Sequence, residues 1–143
     1  MKNMRTVKFR GKSEDNSEWF YGFLQKYQET HASRLCVCAA SVRTWKDALL
    51  YAVRQDTVGQ FTGLFDKNGK EIYEGDIIGC HNPNIKHLIF YNEKQGRFMA
   101  ALNGDIENDF VGVCGLDSGC WLSTKEVIGN IHDNPELLKG GVL

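Results

Sequence analysis

The side chains best suited to chemistry are the thiols. Cys36 and Cys38 flank a single residue, Cys114 and Cys120 lie further along the chain, and Cys80 stands alone between them. Four thiolates can hold zinc, but structural sites use pairs separated by two to four residues. One pair here is too close for that pattern and the other too far apart. On a strand Cys36 and Cys38 share one face and serve as small buried apolar residues. Cys114 or Cys120 with His87 or His132 has the makings of a nucleophile and base, yet no nucleophile elbow surrounds either thiol. Glu74, Asp76 and Asp105 are acid–base candidates. Asp76 is better placed at a strand start, where its carboxylate accepts a backbone hydrogen bond. Asp66–Glu71 echoes the opening of a calcium loop without its later ligands. The glycines Gly59, Gly63, Gly69 and Gly75 lack the Gly-Lys-Ser/Thr ending of a phosphate loop. No metal, cofactor or catalytic residue is expected.

Cations interleaved with aromatics are a different matter, because small barrels bind single strands by stacking bases and contacting phosphates. Lys86, His87, Lys94 and Arg97 lie among Phe90, Tyr91 and Phe98. Alternation places Phe90 and Phe98 in the core and Tyr91 with the charges outside. A solvated hairpin accounts for the same residues and is the plainer reading; if the hairpin binds, the candidate residues are Lys86, His87, Tyr91, Lys94 and Arg97.

These residues need elements to position them. Thr6–Arg10 alternates like a half-buried strand, Gly11–Glu18 is a loop, and Trp19–Leu24 returns to complete a hairpin. Gln25–Arg34 reads as loop and Leu35–Ala39 as a short strand. Ser41–Ala52 reads as a helical turn capped by Ser41, followed by a strand over Leu50–Arg54. Asn68-Gly69 is the preferred pair for a type I′ hairpin turn, in which both central residues need positive φ. Gly75-Asp76 leads into the strand Ile77-Ile78. His87–Tyr91 and Arg97–Leu102 form a second hairpin around Asn92–Gly96. Phe110–Cys114, Gly119–Leu122 and Val127–Ile131 are further strands. Asn134 and Pro135 then start one C-terminal helical turn.

So many short strands argue for a mainly-β fold whose edges are hidden by a small barrel. With 143 residues, 17 basic and 18 acidic, the chain is one domain without a bulk field for nucleic acid or membrane. An odd count of five cysteines, no signal-peptide pattern and no apolar run of membrane-spanning length point to the cytoplasm.

Val58–Ile78 (VGQFTGLFDKNGKEIYEGDII) and Glu126–Leu138 (EVIGNIHDNPELL) resemble the two signature segments of the YopX family, and Val7–Leu24 resembles its N-terminal strands. That family comprises uncharacterised proteins of bacteriophages and prophages. The resemblance implies a phage setting, no established catalysis, and an SH3-like barrel over residues 57–139, preceded by N-terminal strands and a variable insert over 1–56. A non-catalytic binding or adaptor module is the expected role. Its partner would be a protein or nucleic acid, or a second copy of the chain. Nucleic-acid binding proper ranks second, and a small Cys/His or carboxylate enzyme last.

Overall fold

A computed structural model describes residues 6–108, 110–112 and 124–139. The fold is mainly β, with ten strands and two short helices among these residues. Internal contacts divide the chain into two units, Met1–Phe61 and Thr62–Leu143.

The first unit is built on a meander of β1 (Phe9–Lys12), β2 (Trp19–Gln28) and β3 (Ser33–Cys38). β2 pairs antiparallel with both of its neighbours, from Lys12↔Trp19 on one side to Gln28↔Ser33 on the other. The strand therefore continues through Gln25–Gln28, which the polar sequence marks as loop. Gln25, Lys26, Tyr27 and Gln28 are half-buried or exposed, and a strand facing water needs no apolar side chains. β3 stops at Cys38, opposite Phe23, so Trp19–Gly22 extend beyond it. Helix α1 (Trp45–Leu50) follows. Its cap is Thr44, whose Oγ accepts from the Asp47 N–H at 3.1 Å, and not the expected Ser41. After the helix, Ala52 bridges Cys36 and Val53 bridges Ser13. Four backbone bonds of 2.9–3.2 Å tie residues 51–54 to β3 on one side and to Lys12 and Glu14, at and just after the end of β1, on the other. A 3₁₀ turn (Gln55–Thr57) leads to β4 (Gly59–Phe65), where Gly59 and Gln60 pair with Arg10 and Phe9.

In the second unit the end of β4 lies beside β5 (Glu71–Tyr73), and the Thr62 hydroxyl donates to the Ile72 carbonyl at 2.8 Å. The hairpin tip differs from the expected type I′ turn. Gly69 has φ 80°, but Asn68 is not among the positive-φ residues. The Gly69 N–H closes a turn onto the Asp66 carbonyl, and the Asp66 Oδ1 accepts from the N–H groups of Asn68 (2.8 Å) and Lys70 (2.9 Å). A carboxylate at the first turn position supplies the closure that a paired positive φ otherwise provides.

Four strands, β6 (Asp76–Gly79), β7 (Lys86–Asn92), β8 (Arg97–Leu102) and β9 (Phe110–Gly112), form a meander, and β10 (Glu126–Asn130) pairs on the other side of β6. Asp76 sits at the start of β6 as expected, 1% exposed, with its Oδ2 accepting the Tyr73 N–H at 2.7 Å. Ile72, Ile78, Ile89, Phe98 and Ala100 form the core, with Leu64 and Val127 packed against it. Each isoleucine so buried contributes roughly 2–3 kcal/mol relative to exposure. Helix α2 (Glu136–Lys139) starts just after Pro135; the Asn134 Oδ1 accepts from the Asn130 N–H (3.3 Å).

Neither sheet closes on itself through the strand pairings among the described residues. The mainly-β class stands, while the barrel is a finer reading. Cys114, Cys120 and Gly119–Leu122 lie outside the described residues.

Candidate binding groove

Where β3 ends short of β2, a groove of about 510 Å³ opens in the first unit. Trp19, Phe20 and Tyr21 supply one wall from β2. Val37, Cys38 and the small residues Ala39–Val42 supply the opposite wall, with Asp47 and Tyr51 from the helical segment. Phe20 and Tyr51 meet edge to face, with ring centroids 5.8 Å apart. Aromatic walls with few polar groups are the usual make-up of a binding cleft.

One side chain fixes the small-residue wall. The Gln25 amide donates to the Ala40 carbonyl (2.7 Å) and to the Cys38 sulfur (3.3 Å), and its Oε1 accepts from the Val42 N–H (2.8 Å). Gln25 therefore holds three successive points of the loop in place. Below it, Cys36 and Cys38 are buried as expected, and the Cys36 thiol donates to the Ala48 carbonyl at 3.4 Å. Burial pushes the Cys36 thiol up, and the neighbouring Cys38 adds to the shift. A thiol kept protonated is a poor nucleophile.

Beside the groove, cations stack on aromatic rings. The Arg10 guanidinium lies 4.7 Å and the Lys12 ammonium 5.7 Å from the Trp19 ring centre, and Lys8 lies 5.4 Å from that of Phe61. Arg10 and Lys12 are buried, at 6% and 8% exposure, so these contacts belong to packing. The same elements also expose apolar surface: Tyr21 (49%), Phe23 (60%) and Leu24 on β2, and Leu49 and Leu50 (60%) on α1.

The residues expected to bind lie on the β7–β8 hairpin of the second unit. Its loop pairs Asn92 with Arg97, which places Tyr91 opposite Phe98 and Phe90 opposite Met99. Phe90 and Phe98 consequently occupy opposite faces, contrary to the expectation of a shared core position. Phe98 is buried with Tyr91 edge-on to it at 5.2 Å, while half-buried Phe90 meets Phe110 at 5.9 Å. The same alternation puts His87 and Tyr91 on one face of β7 and Lys86 on the other, with Arg97 paired opposite Asn92. Lys94 is exposed in the loop. Only Tyr91 and Lys94 come together, lining a second groove of about 590 Å³ with Phe90, Glu93, Ile106 and Phe110.

Among the described residues no three His, Cys, Asp or Glu side chains are grouped to hold a metal. No helix among them is long and apolar enough to cross a membrane. Asp105 closes an exposed turn, its Oδ1 accepting the Asn108 N–H at 3.1 Å.

The sequence hinted at the first groove through its Trp-Phe-Tyr run and the small residues after Cys38. The early end of β3, which makes the opening, left no such trace.

A family model described as YopX protein matches residues 8–139. Among solved structures, protein EF1440 from Enterococcus faecalis is similar with a TM-score of 0.53 at 26% sequence identity, covering 94% of this chain and 99% of that one. No curated protein matches significantly.

Proposed function

The chain belongs to the YopX protein family, and from that premise we propose a non-catalytic binding module that engages a partner protein through the groove of its first unit. The observation that carries this reading is the coincidence of an aromatic-walled groove with exposed Tyr21, Phe23 and Leu24 on the same strand. Solvent-facing aromatics clustered beside a cleft are what an interaction site requires. The family resemblance supports a phage or prophage setting, and the odd cysteine count supports a reducing, cytoplasmic one. The resemblance also supports reading the second unit as an SH3-like scaffold, its seam lying where Asp66 and Lys67 meet Lys125 and Val127.

Affinity capture from host extract tests this with wild type and a Tyr21→Ser/Phe23→Ser variant. The reading expects a direct partner, reconstituted with purified protein, that the variant loses. Equal binding by both proteins overturns it.

Tyr91 and Lys94 sharing the second groove favour nucleic-acid binding as a second reading. It expects a salt-sensitive gel shift weakened by Lys94→Ala with Arg97→Ala. The absence of a shift with any strand form rules it out.

A further inference from the structure

Among the described residues that line the first groove, Asp47 is the one charged side chain. The backbone around it is committed: the Asp47 N–H bonds to the Thr44 hydroxyl at 3.1 Å, and the Asp47 carbonyl accepts from the Tyr51 N–H at 3.0 Å. Among the described residues its carboxylate makes no ion pair or hydrogen bond. Arg10 and Lys12 are buried against the Trp19 ring.

We propose that the groove accepts a basic side chain of a partner polypeptide, a lysine or arginine set among apolar residues. The aliphatic stem would lie against Phe20, Tyr21 and Tyr51, whose ring faces attract a cation. The charged head would reach Asp47, where a charge-assisted hydrogen bond forms beside apolar walls. An acidic side chain in the same place would meet a like charge, with no cation among the described lining residues to offset it. The inference rests on the groove being the binding site and adds the charge of what enters it.

Three capped pentapeptides, Leu-Ala-X-Ala-Leu with X lysine, norleucine or glutamate, separate the two claims by NMR titration of the groove residues. The lysine peptide is expected to bind about five- to tenfold more tightly than the norleucine peptide, with glutamate weakest. Asp47→Asn should bring lysine level with norleucine, while Asp47→Glu retains the order. Thr44 still caps the helix in both variants. Equal affinities for all three peptides, or an unchanged order in Asp47→Asn, overturn the cation preference and leave the groove as a binding site. The absence of groove shifts with any peptide overturns both claims.

Discussion

The Asp66 Oδ2 accepts a hydrogen bond from the Val127 N–H at 3.0 Å, joining the β4–β5 hairpin tip to a strand 61 positions along the chain. Its other oxygen already serves Asn68 and Lys70, so one carboxylate satisfies three backbone donors. Lys67 adds a backbone bond to the Lys125 carbonyl at 2.9 Å. The segments Val58–Ile78 and Glu126–Leu138 thus meet at one residue, which makes Asp66 a structural tie.

Asp66→Ala leaves three N–H groups without that acceptor. A loss of roughly 3 kcal/mol is expected, since bonds to charged acceptors contribute about 1.5–3 kcal/mol and orphaned donors add a penalty. Asp66→Asn keeps one acceptor oxygen and should fall between. Urea unfolding reads this directly, and an alanine variant within about 0.5 kcal/mol of wild type would contradict the tie.

The same carboxylate predicts an acid dependence. Burial works against its charge, but the N–H groups of Val127, Lys70 and Asn68 and the nearby Lys70 ammonium outweigh it, holding the carboxyl below the ordinary 3.8. A group with a lowered folded pKa binds more protons unfolded than folded. Its stabilisation is therefore complete above the unfolded value and is lost as pH falls through the folded one. Melting temperature between pH 5 and pH 2 should fall less steeply for Asp66→Asn than for wild type. Parallel curves would show that other groups govern acid unfolding.

Gly129 owes its place to space. A Cβ there would stand 2.6 Å from the Asn134 Oδ1 and 2.9 Å from the Leu137 Cδ1, where α2 packs beside β10. Gly129→Ala should cost about 1–3 kcal/mol by forcing those side chains aside. Its amide exchange signature should show α2 loosened. A fully stable variant with α2 protected would mean that the helix can shift without cost.

Much of this architecture was legible where local patterning decides it. The β7–β8 hairpin, the role of Asp76 and the burial of Cys36 and Cys38 all follow from alternation and turn chemistry within a few residues. The misses depend on distant partners or on register. Nothing near Asp66 announces Val127, so the tip looked like an Asn-Gly turn. Polar Gln25–Gln28 hid a strand because its support comes from β3. Phe90 and Phe98 changed faces because loop length, and not hydrophobicity, sets which residues of a hairpin stand opposite each other. The opening of the groove was illegible for a related reason: it depends on β3 stopping at Cys38 while β2 runs on.

Gln25 offers the sharpest test of that groove, because it shapes the wall without lining the cavity. Its amide fixes Ala40, Cys38 and Val42 together; the Cys38 thiol also donates to the Ala40 carbonyl at 2.9 Å, but among the described residues Gln25 alone bonds to all three. Gln25→Ala leaves the β2–β3 backbone ladder intact, so global stability should fall by only about 1–1.5 kcal/mol. The loop itself should open more often, with faster hydrogen exchange at the Val42 amide. Peptide affinity should drop several-fold, whichever residue occupies the central position, because the wall moves while Asp47 stays. That uniform loss separates Gln25→Ala from Asp47→Asn, which should weaken the lysine peptide, strengthen the glutamate peptide and leave the norleucine peptide unchanged. Unchanged exchange at Val42 together with unchanged affinity would show that the loop keeps its shape without Gln25.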